Sequence, residues 1–174
     1  MPKILENVRE QLLAEAARQV IEYGYAQTTM RSVAAACSLG VGTVYNYFPS
    51  KDMLIASCML EDWQCCLQLM GKAPCGDTKV FLYGIYSAIR HFSQKYAKLF
   101  SDADAAKVFS SVAGERHIQL RDQLAQIILP ICDNSPIPNK AFLASFIAEE
   151  MLRWIMEGTD FEEISPVFLQ LLKK

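Results

Sequence analysis

Apolar side chains recur at steps of three and four along most of the chain, the spacing that lines one face of an α-helix. Residues 3–23 carry Leu5, Val8, Leu12, Ala16 and Val20 in this register, widened by Leu13 and Ile21, and predict a long amphipathic helix. Gly24 is expected to end it as a left-handed cap. In the next stretch Thr28 and Thr29 can cap a helix that buries Val33, Ala34 and Cys37. Ser38 to Gly42 breaks the pattern, and the two glycines there permit the positive φ angles of a sharp turn. Gly42 to Phe48 then predicts a short helix with Val44, Tyr47 and Phe48 facing inward and Thr43, Tyr45 and Asn46 facing outward. Pro49 stops it, and Ser50 caps a further helix with Asp52 in its first turn.

From Lys51 this helix is expected to run to about Met70, with Met53, Leu54, Cys58, Leu60, Leu67 and Leu69 apolar. Gly71 to Asp77, with Pro74 and Gly76, reads as a linker. Thr78 to Phe100 is a helical stretch dense in aromatic residues, and Ser101 caps a short helix carrying Ala105, Val108, Phe109 and Val112. A separate helix from Gly114 to Cys132, a proline-fixed loop at Asn134 to Pro138, and helices at Lys140–Glu157 and Asp160–Leu172 complete the pattern, Gly158 ending the first of that last pair. The fold class is all-α, an N-terminal three-helix domain over 1–51 followed by a helical domain over 52–174.

Composition sharpens this picture at two places. The net charge of the 174 residues is only −2, yet the 29 residues from Tyr23 to Lys51 contain neither Asp nor Glu. Arg31 and Lys51 are the full charges there, so a phosphate backbone can approach this stretch without repulsion. The six cysteines, at 37, 58, 65, 66, 75 and 132, stand without a signal peptide and are expected as free thiols in the cytoplasm. Cys37 and Cys58 read as small core residues, and Cys75, in a loop, is the thiol best placed to react. Neighbouring Cys65 and Cys66 point different ways on a helix, and no spacing of metal ligands occurs, so neither a metal nor a cofactor is expected. No apolar run reaches about 18 residues, so no membrane span is expected.

Two short helices joined by a tight turn, the second polar on its outer face, form the geometry that sets side chains against base edges in a major groove. At Gly24-Tyr25, Thr28-Thr29, Val33-Ala34 and Gly42-Thr43-Val44-Tyr45-Asn46-Tyr47-Phe48, with Lys51 and Leu54, the chain resembles TetR-family transcriptional regulators over about residues 4–60. The resemblance implies an all-α homodimer that binds a palindromic double-stranded DNA operator through its N-terminal helix-turn-helix and is usually a repressor released by a small molecule. Carried over by position, it implies that Thr29 contacts phosphate, that Gly42, Thr43, Tyr45 and Asn46 lie in or beside the groove, and that Tyr47 and Lys51 grip the backbone. Arg31 and Val41 complete the expected contact set. The family commonly carries Ala-Gly-Val-Ser before the recognition helix, where this chain has Cys37-Ser38-Leu39-Gly40. Val41 stands where a polar residue is often found.

Behind this domain, Tyr83, Tyr86, Ser87, Arg90 and His91 can orient a small-molecule effector among apolar walls, and Trp63 and His117 are further candidates. The plain alternative is an ordinary helix core with Arg90 and His91 in solvent. The last two helices have more apolar surface than one subunit easily covers, and the resemblance implies that they pair with their copies through Phe146, Met151, Trp154, Ile155, Phe161 and Phe168. Three other readings compete: a thiol-responsive regulator using an exposed cysteine, an all-α enzyme acting on a small molecule, and a helical interaction module that does not bind DNA. Against the enzyme, no nucleophile-base pair, carboxylate pair or phosphate loop stands at recognisable spacing.

Overall fold

The computed structural model describes residues 7–72 and 76–173, and only the backbone of residues 111–113. Leu5, Pro74, Cys75 and the Val112 side chain, all singled out above, lie outside the described residues. Among those described, the regular elements are all helices: α1 (Val8–Tyr23), α2 (Met30–Ala36), α3 (Val41–Tyr47), α4 (Lys51–Met70), α5 (Thr78–Lys95), α6 (Ala97–Phe100), α7 (Ala103–Cys132), α8 (Lys140–Glu157) and α9 (Phe161–Leu172).

The chain divides into two compact units, one made of residues 1–63 and 95–111 and the other of 64–94 and 112–174. In the first, Val8, Leu12, Leu13 and Ala16 of α1, Met30, Val33 and Ala34 of α2, Val44 and Phe48 around α3, and Leu54 and Cys58 of α4 form one buried cluster. The packing unit therefore extends past the boundary expected at Asp52, because the first turns of α4 close the helix-turn-helix core. Gln19 is buried in this unit, its Nε2 donating to Glu15 and its Oε1 accepting from the Ser32 hydroxyl.

Local chemistry explains the helix ends. Thr29 caps α2: its hydroxyl accepts from the Ser32 N–H at 3.0 Å while the Ser32 hydroxyl accepts from the Thr29 N–H, a reciprocal capping box. Thr28 instead is fully buried, donating its hydroxyl proton to the Gly24 carbonyl. Gly24 has a positive φ of 87° with an extended ψ of 176°, so it ends α1 without the left-handed cap expected of it. In the turn between α2 and α3 the positive φ falls on Ser38, at 56°, and on neither glycine. Gly40 is the extended N-cap of α3, and Gly42 lies inside that helix. Ser50 caps α4 through the Met53 N–H.

The segment after α5 departs from the pattern expected of it. The aromatic-rich helix stops at Lys95, and α6 is a single separate turn. Asp102, not Ser101, caps α7, accepting from the N–H groups of Asp104 and Ala105. The Ser101 hydroxyl turns back to the Ala97 carbonyl. The two helices expected around Gly114 are one 30-residue helix, α7. A glycine inside a helix costs about 1 kcal/mol relative to alanine, too little to break a helix that tertiary packing holds.

In the second unit α5 buries Phe81, Leu82, Ile85 and Ile89, α8 buries Leu143, Ile147, Met151 and Ile155, and α9 buries Ile164 and Phe168. Gly158 ends α8 in the left-handed conformation, and the chain turns directly into α9. No helix among the described residues is long and apolar enough to cross a membrane.

Candidate nucleic-acid interface

The helix-turn-helix presents α3 as its outer element. Val44 is completely buried and Phe48 is 4% exposed, which fixes one face of this seven-residue helix against the core. Val41, Gly42, Tyr45 and Asn46 are exposed, Tyr45 by 51%, and Thr43 is half-buried. Tyr47, expected to point inward, is 46% exposed and joins the outer surface. The two apolar anchors lie four residues apart, and Tyr47 falls off that line onto the flank where a backbone contact is expected. A side chain added at Gly42 would meet nothing within 4 Å, so the backbone there is open to close approach.

Thr29 and Arg31, at the start of α2, are exposed. Lys51 is half-buried and held: its Nζ donates to the Tyr25 carbonyl at 3.0 Å and lies 3.6 Å from the centre of the Tyr25 ring. Burial first, and then the neighbouring Asp52 carboxylate, push the Tyr25 phenol above its ordinary range, so it acts as a neutral donor to Asp52. Arg9, on α1, is paired with Glu61 at 2.5 Å and lies over the Phe48 ring. Sequence reasoning gave Tyr25 no task and missed Gln19, although the spacing of Gln19 from Leu12 and Ala16 sets it on the buried face of α1.

In the second unit, five of the expected effector residues come together. Tyr83, Tyr86, Ser87, Arg90 and His91 of α5, with Gln94 and the α9 start at Asp160–Glu162, line an open groove of about 510 Å³. Phe161 forms its aromatic wall, its ring 5.2 Å from that of Tyr83 and 5.4 Å from that of Tyr86. Arg90 is already engaged, donating to Asp160 at 2.8 Å and to the Tyr86 hydroxyl, which in turn donates to the Thr159 carbonyl. The groove thus offers a neutralised cation, an imidazole, a hydroxyl and an amide beside aromatic faces. Trp63 is buried in the first unit, and His117 pairs with Glu149 at 2.9 Å, so neither lines this groove.

The expected pairing residues also need correction. Met151 and Phe168 are completely buried within one chain, and Ile155 and Phe161 nearly so, leaving almost no surface for a partner. Trp154 is half-buried against Phe168, with ring centres 5.3 Å apart. Phe146, at 40% exposure, keeps the expected outward position, and Phe142, at 65%, stands beside it on α8. These two, with Ile137, Leu143 and Leu171, line a wholly apolar depression of about 190 Å³. Both faces of α8 are apolar in the sequence, and periodicity does not tell which one the chain itself covers.

Among the described cysteines, Cys65 is exposed, and Cys58 and Cys132 are buried. Burial pushes the Cys58 thiol up to about 12 and that of Cys132 to about 11, which leaves both inert near neutral pH. No group of three or more metal-ligating side chains occurs among the described residues.

Residues 12–58 match the family model of bacterial regulatory proteins of the tetR family. The chain is 27% identical over 156 residues to the HTH-type transcriptional repressor KstR of Rhodococcus jostii, covering 82% of this chain and 70% of that protein. In fold it is similar to a transcriptional regulator from Cytophaga hutchinsonii, with a TM-score of 0.66 at 20% identity over 94% of this chain and 93% of the other. It is similar also to the TetR-family repressor AlkX from a Dietzia species, with a TM-score of 0.64 at 17% identity over 97% and 98% of the two chains. The family match spans α1 from Leu12, both helices of the helix-turn-helix and the start of α4, the part whose outer face carries Thr43, Tyr45 and Asn46. Residues 12–58 thus match the tetR family of bacterial regulatory proteins, and the chain as a whole is similar in sequence to a transcriptional repressor and in fold to transcriptional regulators.

Proposed function

We propose that the chain acts as a homodimeric repressor that sets α3 of each copy into successive major grooves of a palindromic operator and is released by a small-molecule effector. Residues 1–51 would serve as the DNA-binding domain and 52–174 as the effector-binding and dimerisation domain. The observation that carries this reading is the outer face of α3: Val41, Gly42, Tyr45, Asn46 and Tyr47 are exposed, within a 29-residue stretch free of carboxylates. Thr29, Arg31 and Lys51 flank it as phosphate contacts, which position the protein while the α3 side chains read bases.

The exposed Phe142 and Phe146 support pairing of α8 and α9 with a second copy, since an apolar patch of this kind on a DNA-binding helical protein is readily covered by symmetry. A two-fold dimer brings two recognition helices to a separation of roughly 34–36 Å, one turn of B-DNA. The groove of Tyr83, Tyr86, Ser87, Arg90 and His91 is the effector site of this proposal. An effector that prefers a conformation with misplaced recognition helices lowers operator affinity by that preference, roughly 5- to 150-fold for couplings of about 1–3 kcal/mol. The similarity to KstR, a repressor, favours repression over activation.

Selection of bound duplexes from a random DNA pool tests the proposal. The expected product is an inverted repeat with half-sites about one helical turn apart. A single unrepeated site would contradict the dimer, and a pool without enrichment would contradict specific DNA recognition.

A further inference from the structure

We infer that Tyr25 is a positioning residue for DNA binding, setting the place of the Lys51 ammonium before DNA arrives. The inference rests on the proposed reading of Lys51 as a backbone contact. Tyr25 lies in the turn between α1 and α2, and Lys51 and Asp52 open α4. One residue therefore makes three contacts with two consecutive residues of α4. Its carbonyl accepts from the Lys51 Nζ at 3.0 Å, its ring lies 3.6 Å beneath that ammonium, and its hydroxyl donates to the Asp52 carboxylate.

Each contact has a separate consequence. A lysine side chain is long and rotamer-rich, and ordering it during DNA binding would weaken the contact. Held over the ring, the ammonium is ordered in advance. It has three donors, of which the carbonyl takes one, leaving two for phosphate oxygens. The hydroxyl ties up the carboxylate of Asp52, the acid that directly follows the carboxylate-free stretch, and so keeps it from pairing with Lys51 in place of DNA. Tyr25 can serve as a fixed platform because it is only 6% exposed and meets the Phe109 ring edge-on, with centres 6.4 Å apart.

The test is operator affinity measured by fluorescence anisotropy across a salt series for the full chain and for Lys51→Met, Tyr25→Leu, Tyr25→Phe and the Lys51→Met/Tyr25→Leu double variant. Each phosphate contact contributes about 0.9 to the slope of log affinity against log salt. Lys51→Met is expected to flatten the slope by about that amount for each bound copy. Tyr25→Leu is expected to flatten it equally, and the double variant no further. Tyr25→Phe, which keeps the ring and the carbonyl, should retain most of the wild-type slope. A wild-type slope in Tyr25→Leu beside a flattened one in Lys51→Met overturns the inference. An unchanged slope in Lys51→Met overturns the underlying reading of Lys51 itself. Should Tyr25→Leu fail to fold, proton NMR of the unaltered protein decides independently. The Lys51 ε-methylene, assigned by its absence in Lys51→Met, should be shifted upfield by the Tyr25 ring, and a random-coil shift would contradict the platform.

Discussion

Ser38 carries a φ of 56°, a conformation that costs an L-residue roughly 1–2 kcal/mol and glycine almost nothing. It stands where the resembled pattern Ala-Gly-Val-Ser has glycine, the residue that adopts this conformation without strain. Ser38→Gly is expected to raise stability by about 0.5–1 kcal/mol in urea denaturation, the relief of strain being partly offset by glycine's freedom in the unfolded chain. Unchanged or lowered stability would show that Ser38 gains enough elsewhere to cancel the strain. Legibility at this scale was uneven. Thr28 and Thr29 both offered a cap for α2, which the structure assigns to Thr29, and the carboxylate-free run announced a surface for phosphate. The positive φ could not be read, because Gly40 and Gly42 drew the expectation and only the path of the chain assigns it to Ser38. Tyr47 was misread for a related reason: a two-turn helix offers too few positions for periodicity to separate a flank from a face.

At the scale of elements, periodicity identified the long helices because each buries a stripe wide enough to dominate its pattern. It divided α7 at Gly114, where a single weak helix former does not interrupt a 30-residue helix. It was weakest on α8, which is apolar on two faces. One face, with Leu143, Ile147 and Met151, belongs to the fold of a single chain, and the other, with Phe142 and Phe146, remains on the surface. Substitutions on the two faces should therefore behave differently. Phe146→Glu is expected to leave the chain folded and to shift its mass in solution from two chains to one of 19.6 kDa, measured by light scattering after size exclusion. Met151→Ala is expected to lower unfolding stability by about 2–5 kcal/mol while the protein stays paired. A dimer that survives Phe146→Glu unchanged would remove this face from the proposed interface.

For the whole molecule, packing and proposed task divide the chain differently. The packing unit around the helix-turn-helix takes in α4 through Trp63 and returns for residues 95–111, whereas the sequence pattern ended the DNA-binding domain at Lys51. Sequence patterns are local, and an excursion of the chain out of a unit and back leaves no periodic trace. Within this unit the returning segment is tied down at separate points: Lys95 and Tyr96 reach Asp62, Lys98 donates to the Glu22 carbonyl, and Phe109 meets Tyr25. Helices α4, α5 and α7 each contribute residues to both units. The central claim remains the outer face of α3. A mobility shift with DNA from beside the chain's own gene, run across a salt series with the full chain and with Tyr45→Ala, tests it most directly. The account predicts salt-sensitive binding to one short palindrome, lost in Tyr45→Ala while the variant keeps its helical content and thermal stability. Undiminished binding by folded Tyr45→Ala would contradict it.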